Sequence, residues 1–318
     1  MRPGAVRERA PSAFLARPPP ARYRSPVSRP VALLAALRPR QWTKNLALLA
    51  PLLFAQRARD PAAVGLALLG VLSFSLAASA VYLGNDLADR ERDRLHPEKR
   101  HRPIASGAVS ARAAAALGVG LAVLALALAF LLPPGFLGCV AGYFALQLAY
   151  TLRLKDVVVV DVFAVAAGFV LRVVAGAAAI RVPISNWLYL CTLLLALFLA
   201  LAKRRAELSL LSGDAVRHRP ILAEYSLALV DQLVAVTSAT AVLAYGLYAV
   251  AADTVAKFHT DRLKYTVPLV IFGLFRYLYL VARRGEGGQP ERVLLRDRPT
   301  QVNLAVYVAV VVWALYTR

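Results

Sequence analysis

Five stretches of the chain carry no charged residue: 61–85, 113–152, 182–202, 232–252 and 299–317. A helix of about 20 apolar residues crosses the ~30 Å hydrocarbon layer of a bilayer, and 113–152 is long enough to cross twice. That longest run is interrupted at Pro133-Pro134-Gly135, a turn signal that predicts a helical hairpin. Lightly charged apolar stretches near 43–56, 157–180 and 264–282 bring the expected number of spans to about nine. No alternating apolar and polar pattern separates turns, which argues against a membrane barrel. Composition agrees, since 59% hydrophobic and 18% charged residues lie far from a soluble domain, nearer half apolar and about a quarter charged. The expected fold is all-α: one polytopic helical bundle over residues 31–318.

The charges report orientation. Lys and Arg number 38 against 18 Asp and Glu, a net charge of +20. With nine spans, 29 of the 38 fall on the side that holds residues 1–44 and the loops after even-numbered spans. The other side holds Arg57, Arg59, Arg181, Lys257, Arg262, Lys264 and Arg318, while Arg172 and Arg276 fall inside spans. A bias of this kind follows the positive-inside rule and places the rich side in the cytoplasm, as expected of a multi-pass plasma-membrane protein with a cytoplasmic N-terminus. Residues 1–30 are rich in Arg, Pro and Ala and lack the apolar core of a signal peptide. They read as a disordered basic tail that touches anionic membrane lipids. No folded element accompanies the tail, so no nucleic-acid partner is expected. Cys139 and Cys191 show no metal-type spacing and read as small buried apolar residues.

The chemistry concentrates at the end of the second span. Asp86, Asp89 and Asp93 are spaced i, i+3, i+7 and fall within about 60° on a helix, with Asn85 beside them. Stacked carboxylates repel and need a cation; hard oxygen donors suit Mg2+, which commonly bridges to substrate phosphates. A solvated face neutralised by Arg90 and Arg92 is the plainer alternative. A basic run follows at once, His96-Pro97-Glu98-Lys99-Arg100-His101-Arg102. Arg binds phosphate in two-pronged fashion and Lys as a point charge, so this run suits an oligophosphate. A second polar group opens the fifth span: Tyr150, Lys155, Asp156 and Asp161, with Arg172 three turns deeper on the same face. Charges within a span mark function by default. Lys203-Arg204-Arg205 with Glu207, and Arg296-Asp297-Arg298, repeat the theme. Arg38-Pro39-Arg40-Gln41-Trp42-Thr43-Lys44 leads into the first span, where Lys44 reaches toward the same pocket. The residues point to a Mg2+–diphosphate site at one face of a helical bundle.

Asn85-Asp86-x-x-Asp89-x-x-x-Asp93, followed by Lys99-Arg100-x-Arg102-Pro103-Ile104-Ala105-Ser106-Gly107, resembles the first signature of the UbiA superfamily of intramembrane prenyltransferases. The resemblance implies nine membrane helices around a central, lipid-open cavity. Tyr150 to Lys155 with Asp161 falls where that family carries a second acidic motif, but Asp156 and Asp161 stand five apart and form no DxxxD. Within the superfamily the similarity is greatest to the branch that moves phosphoribose onto a polyprenyl phosphate. It runs over most of 34–316, through Arg38-Pro39-Arg40-Gln41-Trp42-x-Lys44-Asn45, Gln147-Leu148-Ala149-Tyr150 and Lys203-Arg204-x-Ala206-Glu207. That branch implies phosphoribosyl pyrophosphate as donor, decaprenyl or another polyprenyl phosphate as acceptor, Mg2+ as cofactor and released pyrophosphate, with the product feeding cell-wall arabinan. The implied catalytic and metal residues are Asp86, Asp89 and Asp93, with Asn85 as a further ligand. Lys44, Asn85, Lys99, Arg100, Arg102, Tyr150, Lys155, Asp161, Arg172, Lys203 and Arg204 would divide the substrate phosphates. A prenyl transfer from a prenyl diphosphate to a small acceptor, and a lipid binder or transporter without catalysis, remain open alternatives, as does a homo-oligomer.

Overall fold

Each long apolar run becomes a helix, and the residues that start the helices are written beside the runs. The computed structural model describes residues 29–95, 99–210, 220–284, 288 and 290–317; the tail of residues 1–28 and His96-Pro97-Glu98 lie outside them. A short helix, α1 (Arg29–Ala36), leads to a 3₁₀ segment (Pro39–Leu49) that continues as α2 (Ala50–Phe54). Then come α3 (Pro61–Ala88), α4 (Arg90–Leu95), α5 (Ala111–Phe130), α6 (Pro134–Leu152), α7 (Val160–Ala179) and α8 (Asn186–Leu210). The chain ends with α9 (Leu227–Val250), α10 (Ala252–Phe258), α11 (Val267–Arg284), α12 (Pro290–Arg296) and α13 (Arg298–Tyr316). Asp60 caps α3 through the amides of Ala62 and Ala63, ahead of Pro61 in the first turn. Ser110, Ser226 and Asp297 cap α5, α9 and α13 in the same way.

Among the described residues, eight helical segments are long and apolar enough to cross a bilayer. The expected first span has a different construction. Eleven residues of 3₁₀ helix at about 2.0 Å rise and five of α-helix at about 1.5 Å cover roughly 30 Å, so sixteen residues do the work of twenty. A 3₁₀ run of this length is unusual and needs outside support. It comes from α3 and α7: Trp42 Nε1 donates to Ser79 Oγ at 3.0 Å, and Asn45 Nδ2 to Ser75 Oγ at 3.0 Å. Gly176 of α7 presents no side chain to this segment, so the Leu48 carbonyl lies only 2.1 Å from where a Cβ would stand.

Small residues let α3 and α7 form the centre. Ala63, Ala67, Gly70, Ser73 and Ala77 bury one face of α3, and Ala166, Gly168, Ala175 and Gly176 are buried around α7, the close backbone approach that drives helix association in lipid. In α7, 61% of the apolar stretch is buried inside the protein, against 17% in α5, α6 and α13, which therefore turn most of their surface to lipid. The connections alternate, so 3₁₀ start, α3 end, α4, α6 end, α7 start, α8 end, α12 and α13 start gather at one end. A largely apolar cavity of about 470 Å3 lies between α8, α9, α11 and α13, reaching from α10 at the far end to Thr300 at this one.

Candidate active site

The acid stripe is not one continuous helical face. Helix α3 ends at Ala88, Asp89 is its C-cap with φ −92° and ψ 6°, and α4 restarts at Arg90. Asp86 and Asp93 thus come from two helices that meet at Asp89, and both carboxylates turn inward and are buried. Arg102 Nη1 lies 3.0 Å from Asp86 Oδ1 and 2.7 Å from Asp93 Oδ2. Arg38 donates to the same Asp86 Oδ1. Its backbone is left-handed, with φ 54°, directly before Pro39, and its guanidinium packs 5.0 Å from the Tyr82 ring centre. A residue before proline is normally extended, so this conformation is held by tertiary contacts, the Asp86 ion pair among them.

Among the described residues no three His, Cys, Asp or Glu side chains form a ready metal cluster. Two carboxylates do converge on one point, marked by the Arg102 nitrogen as a stand-in cation. Mg2+ commonly takes one or two protein carboxylates and completes its shell with water and substrate phosphate, so the donor set fits. Asn85 Oδ1 accepts instead from Thr151 Oγ1 at 2.9 Å, tying α3 to the end of α6. Asp89 is half-buried beside the pair.

The basic residues close the ring. Lys99 stands within electrostatic reach of Asp93, Glu207 and Asp89. Desolvation first, and then the Arg102 charge, push its ammonium below its ordinary value. Across the site, Lys203 is 3.9 Å from Glu207 and shares its field with Lys44 and Tyr150. The first acidic motif, the start of the first span and the end of α8 therefore face one another through Lys99, Glu207, Lys203 and Lys44. Lys155 is half-buried in a short 3₁₀ turn (Leu154–Asp156) between α6 and α7. Arg100 is exposed, and its Nε donates to His101 Nε2 at 3.3 Å.

Asp161 and Arg172 do not face a common substrate position. Arg204 Nε and the Tyr225 hydroxyl each donate to the fully buried Asp161 carboxylate at 2.7 Å, and Arg204 also pairs with Glu207. The Tyr225 hydroxyl accepts from the Val159 amide at 2.7 Å; burial and its bond to Asp161 push this phenol up to about 12. Val159 has φ 68°, and Val160 N–H reaches back to the Val158 carbonyl at 2.8 Å, a γ-turn centred on a β-branched residue. The turn before α7 is thus pinned by one hydroxyl from a distant segment. Arg172 goes deeper, donating to Asn45 Oδ1 and the Gly168 carbonyl, each at 2.7 Å, and lying 4.9 Å from the Tyr143 ring centre. It fastens the 3₁₀ segment one residue beyond Lys44. Losing one partner of a buried pair strands the other charge. Asp161→Asn is therefore expected to cost about 3 kcal/mol, the low end of the range for such pairs because Glu207 still meets Arg204. Tyr225→Phe is expected to cost about 1–2 kcal/mol for the stranded Val159 amide. Thermal unfolding in detergent measures both.

Three residues of this site lay outside the set expected from the motifs. Arg38 stood within a quoted motif, but nothing local announced its ion pair with Asp86. Glu207 carried a signal, three and four residues after Arg204 and Lys203, where helical side chains meet. Tyr225, 64 residues from Asp161, carried none.

A helical membrane bundle with paired carboxylates and several cations at one end, and an apolar cavity between its helices, fits an intramembrane transferase. The chain belongs to the UbiA prenyltransferase family, whose pattern matches residues 46–296. It is 36% identical over 296 residues to the decaprenyl-phosphate phosphoribosyltransferase of Mycolicibacterium smegmatis, covering 89% of this chain and 92% of that one. It is 35% identical over 292 residues to the protein of the same name from Mycobacterium tuberculosis, covering 90% and 95%. Among solved structures it is similar to a UbiA homologue from Archaeoglobus fulgidus bound to GPP and Mg2+, with TM-score 0.68 and 22% identity over 89% of this chain and 99% of that one.

Proposed function

We propose that this transferase moves 5-phosphoribose from phosphoribosyl pyrophosphate to decaprenyl phosphate, or a close polyprenyl phosphate, and releases pyrophosphate. The observation that carries the proposal is similarity along nearly the whole of both chains to two proteins named for that activity. The site chemistry supports it. A donor with three phosphates needs more cationic groups than one diphosphate does: Arg38 and Arg102 bond the acid pair, Lys99 lies in its field, and Lys203 stands by Glu207 with Lys44 near it. The excess of Lys and Arg at this end supports a cytoplasmic site, where a soluble sugar phosphate is available, in a plasma-membrane protein.

In the mechanism, Asp86 and Asp93 would hold Mg2+, with Asp89 beside them. The bound ion would supply positive charge to the departing pyrophosphate. Lys99, Arg102 and Arg38 bind diphosphate oxygens, and Lys44 and Lys203 align the remaining phosphates from the facing side. The C1–O bond of ribose breaks with its electron pair leaving on pyrophosphate, while a phosphate oxygen of the lipid forms the new bond to C1. Positive character at C1 is met by the field of the nearby carboxylates. The lipid phosphate is already anionic near neutral pH, so the protein supplies alignment rather than a base. Leu195 and Leu199 of α8 line the apolar cavity, and Lys203 follows one turn later. A polyprenyl tail lying along α8 would therefore bring its phosphate to the cationic ring.

Purified protein in detergent, given labelled phosphoribosyl pyrophosphate, decaprenyl phosphate and Mg2+, is expected to yield a lipid-linked phosphoribose and one pyrophosphate per product. Mass spectrometry of the extracted lipid identifies it. Label that stays water-soluble, together with prenyl transfer from a prenyl diphosphate to a small acceptor, would overturn the assignment.

A further inference from the structure

We propose that Arg102 holds the metal position of the resting site and yields it only when a diphosphate arrives, so that metal and diphosphate bind as a linked pair. The proposal rests on the function above in taking a Mg2+–diphosphate as the ligand of this site. A single nitrogen of Arg102 touches one oxygen of Asp86 and one of Asp93, at 3.0 and 2.7 Å. These are the two buried carboxylates that converge, and the guanidinium stands between them where a bridging dication would sit. Arg38 adds a second guanidinium on the same Asp86 oxygen. A free dication must therefore displace one cation and approach another, which weakens binding to the resting site.

Arg102 is built to move and its counterpart across the site is not. Its backbone is fixed by bonds to the Lys99 carbonyl and from the Ser106 amide, and Ile104 beside it is buried. Its side chain keeps 30% of its surface accessible, whereas that of Arg204 keeps 4% and is held by Asp161 and Glu207. An arriving diphosphate gives Arg102 a two-pronged partner of higher charge. As the guanidinium turns to it, Asp86 and Asp93 become free for the ion. No covalent step is involved, and linkage requires each ligand to tighten the other by the same factor.

The test uses full-length protein in detergent, Mn2+ as a paramagnetic probe and inorganic pyrophosphate, with free Mn2+ matched between arms. Wild type is expected to bind Mn2+ weakly alone and at least tenfold more tightly with pyrophosphate, and Mn2+ is expected to tighten pyrophosphate equally. Arg102→Gln is expected to bind Mn2+ alone at least tenfold more tightly than wild type and to lose most of the pyrophosphate effect. Equal Mn2+ affinity of Arg102→Gln and wild type without pyrophosphate overturns the exchange. If Arg102→Gln does not fold, the wild-type arms decide, because Mn2+ affinity indifferent to pyrophosphate overturns it as well. Neither arm contains phosphoribosyl pyrophosphate or lipid, so its failure is separable from failure of the transfer assay.

Discussion

Replacing Asp86 by Asn is expected to lower kcat/KM for phosphoribosyl transfer on the order of 10³-fold, the scale of several kcal/mol of transition-state charge stabilisation. Asp86 is buried, it shares the convergent point with Asp93, and it anchors both Arg38 and Arg102. The amide keeps the shape and removes the charge, leaving Arg102 with Asp93 alone and Arg38 without this ion pair. Metal affinity falls for that reason, and so does alignment of the diphosphate. Protein stability is expected to change little, because both arginine side chains keep access to water, 28% and 30% of their surface. Asp89→Asn gives the contrast. Asp89 is half-buried and lies off the point where the other two meet, so a loss of about tenfold or less is expected. Rate measurements over a Mg2+ titration check both: Asp86→Asn should raise the Mg2+ requirement and lower the plateau. Equal losses in the two variants would mean that all three carboxylates act as one ligand set.

The membrane-crossing helices were legible in the sequence because lipid leaves so little freedom: an uncharged run of twenty residues has few uses other than a span. The helical hairpin at Pro133-Pro134-Gly135 was a local signal, and α5 and α6 meet there. The first span was legible as a crossing but not as a 3₁₀ helix. Nothing in Pro39–Leu49 demands that form; it depends on Gly176 and Ser79, far along the chain. The site divides in the same way. The residues of the acid motif were plain, yet the break at Asp89, which turns a stripe into a converging pair, was not. Asp161 and Arg172 share a helical face by spacing and still diverge, because each found a nearer partner on another helix, Arg204 for one and Asn45 for the other. Helical periodicity gives the face of a residue, whereas its partner is set by which helices pack against that face.

Gly176→Ala is expected to remove most folded protein from the membrane, although it adds only a single methyl group. The added Cβ would stand 2.1 Å from the Leu48 carbonyl oxygen, 2.8 Å from its carbon and 2.9 Å from its Cα. All three are backbone atoms, so no rotamer change relieves the contact. The 3₁₀ segment would have to move outward by more than 1 Å, close to the scale at which the 3.0 Å bonds of Trp42 to Ser79 and of Asn45 to Ser75 fail. Arg172 would then lose Asn45, its partner on the first span, while remaining buried, and a stranded charge costs far more than the methyl itself. The failures are linked, so the effect should exceed the roughly 1–3 kcal/mol typical of overpacking. Gly142→Ala supplies the control: on neighbouring α6, its Cβ would meet nothing closer than 3.9 Å, and it should express and unfold like wild type. Size-exclusion recovery and thermal unfolding of the two variants in one detergent distinguish a backbone clash at Gly176 from a general intolerance of alanine in these helices.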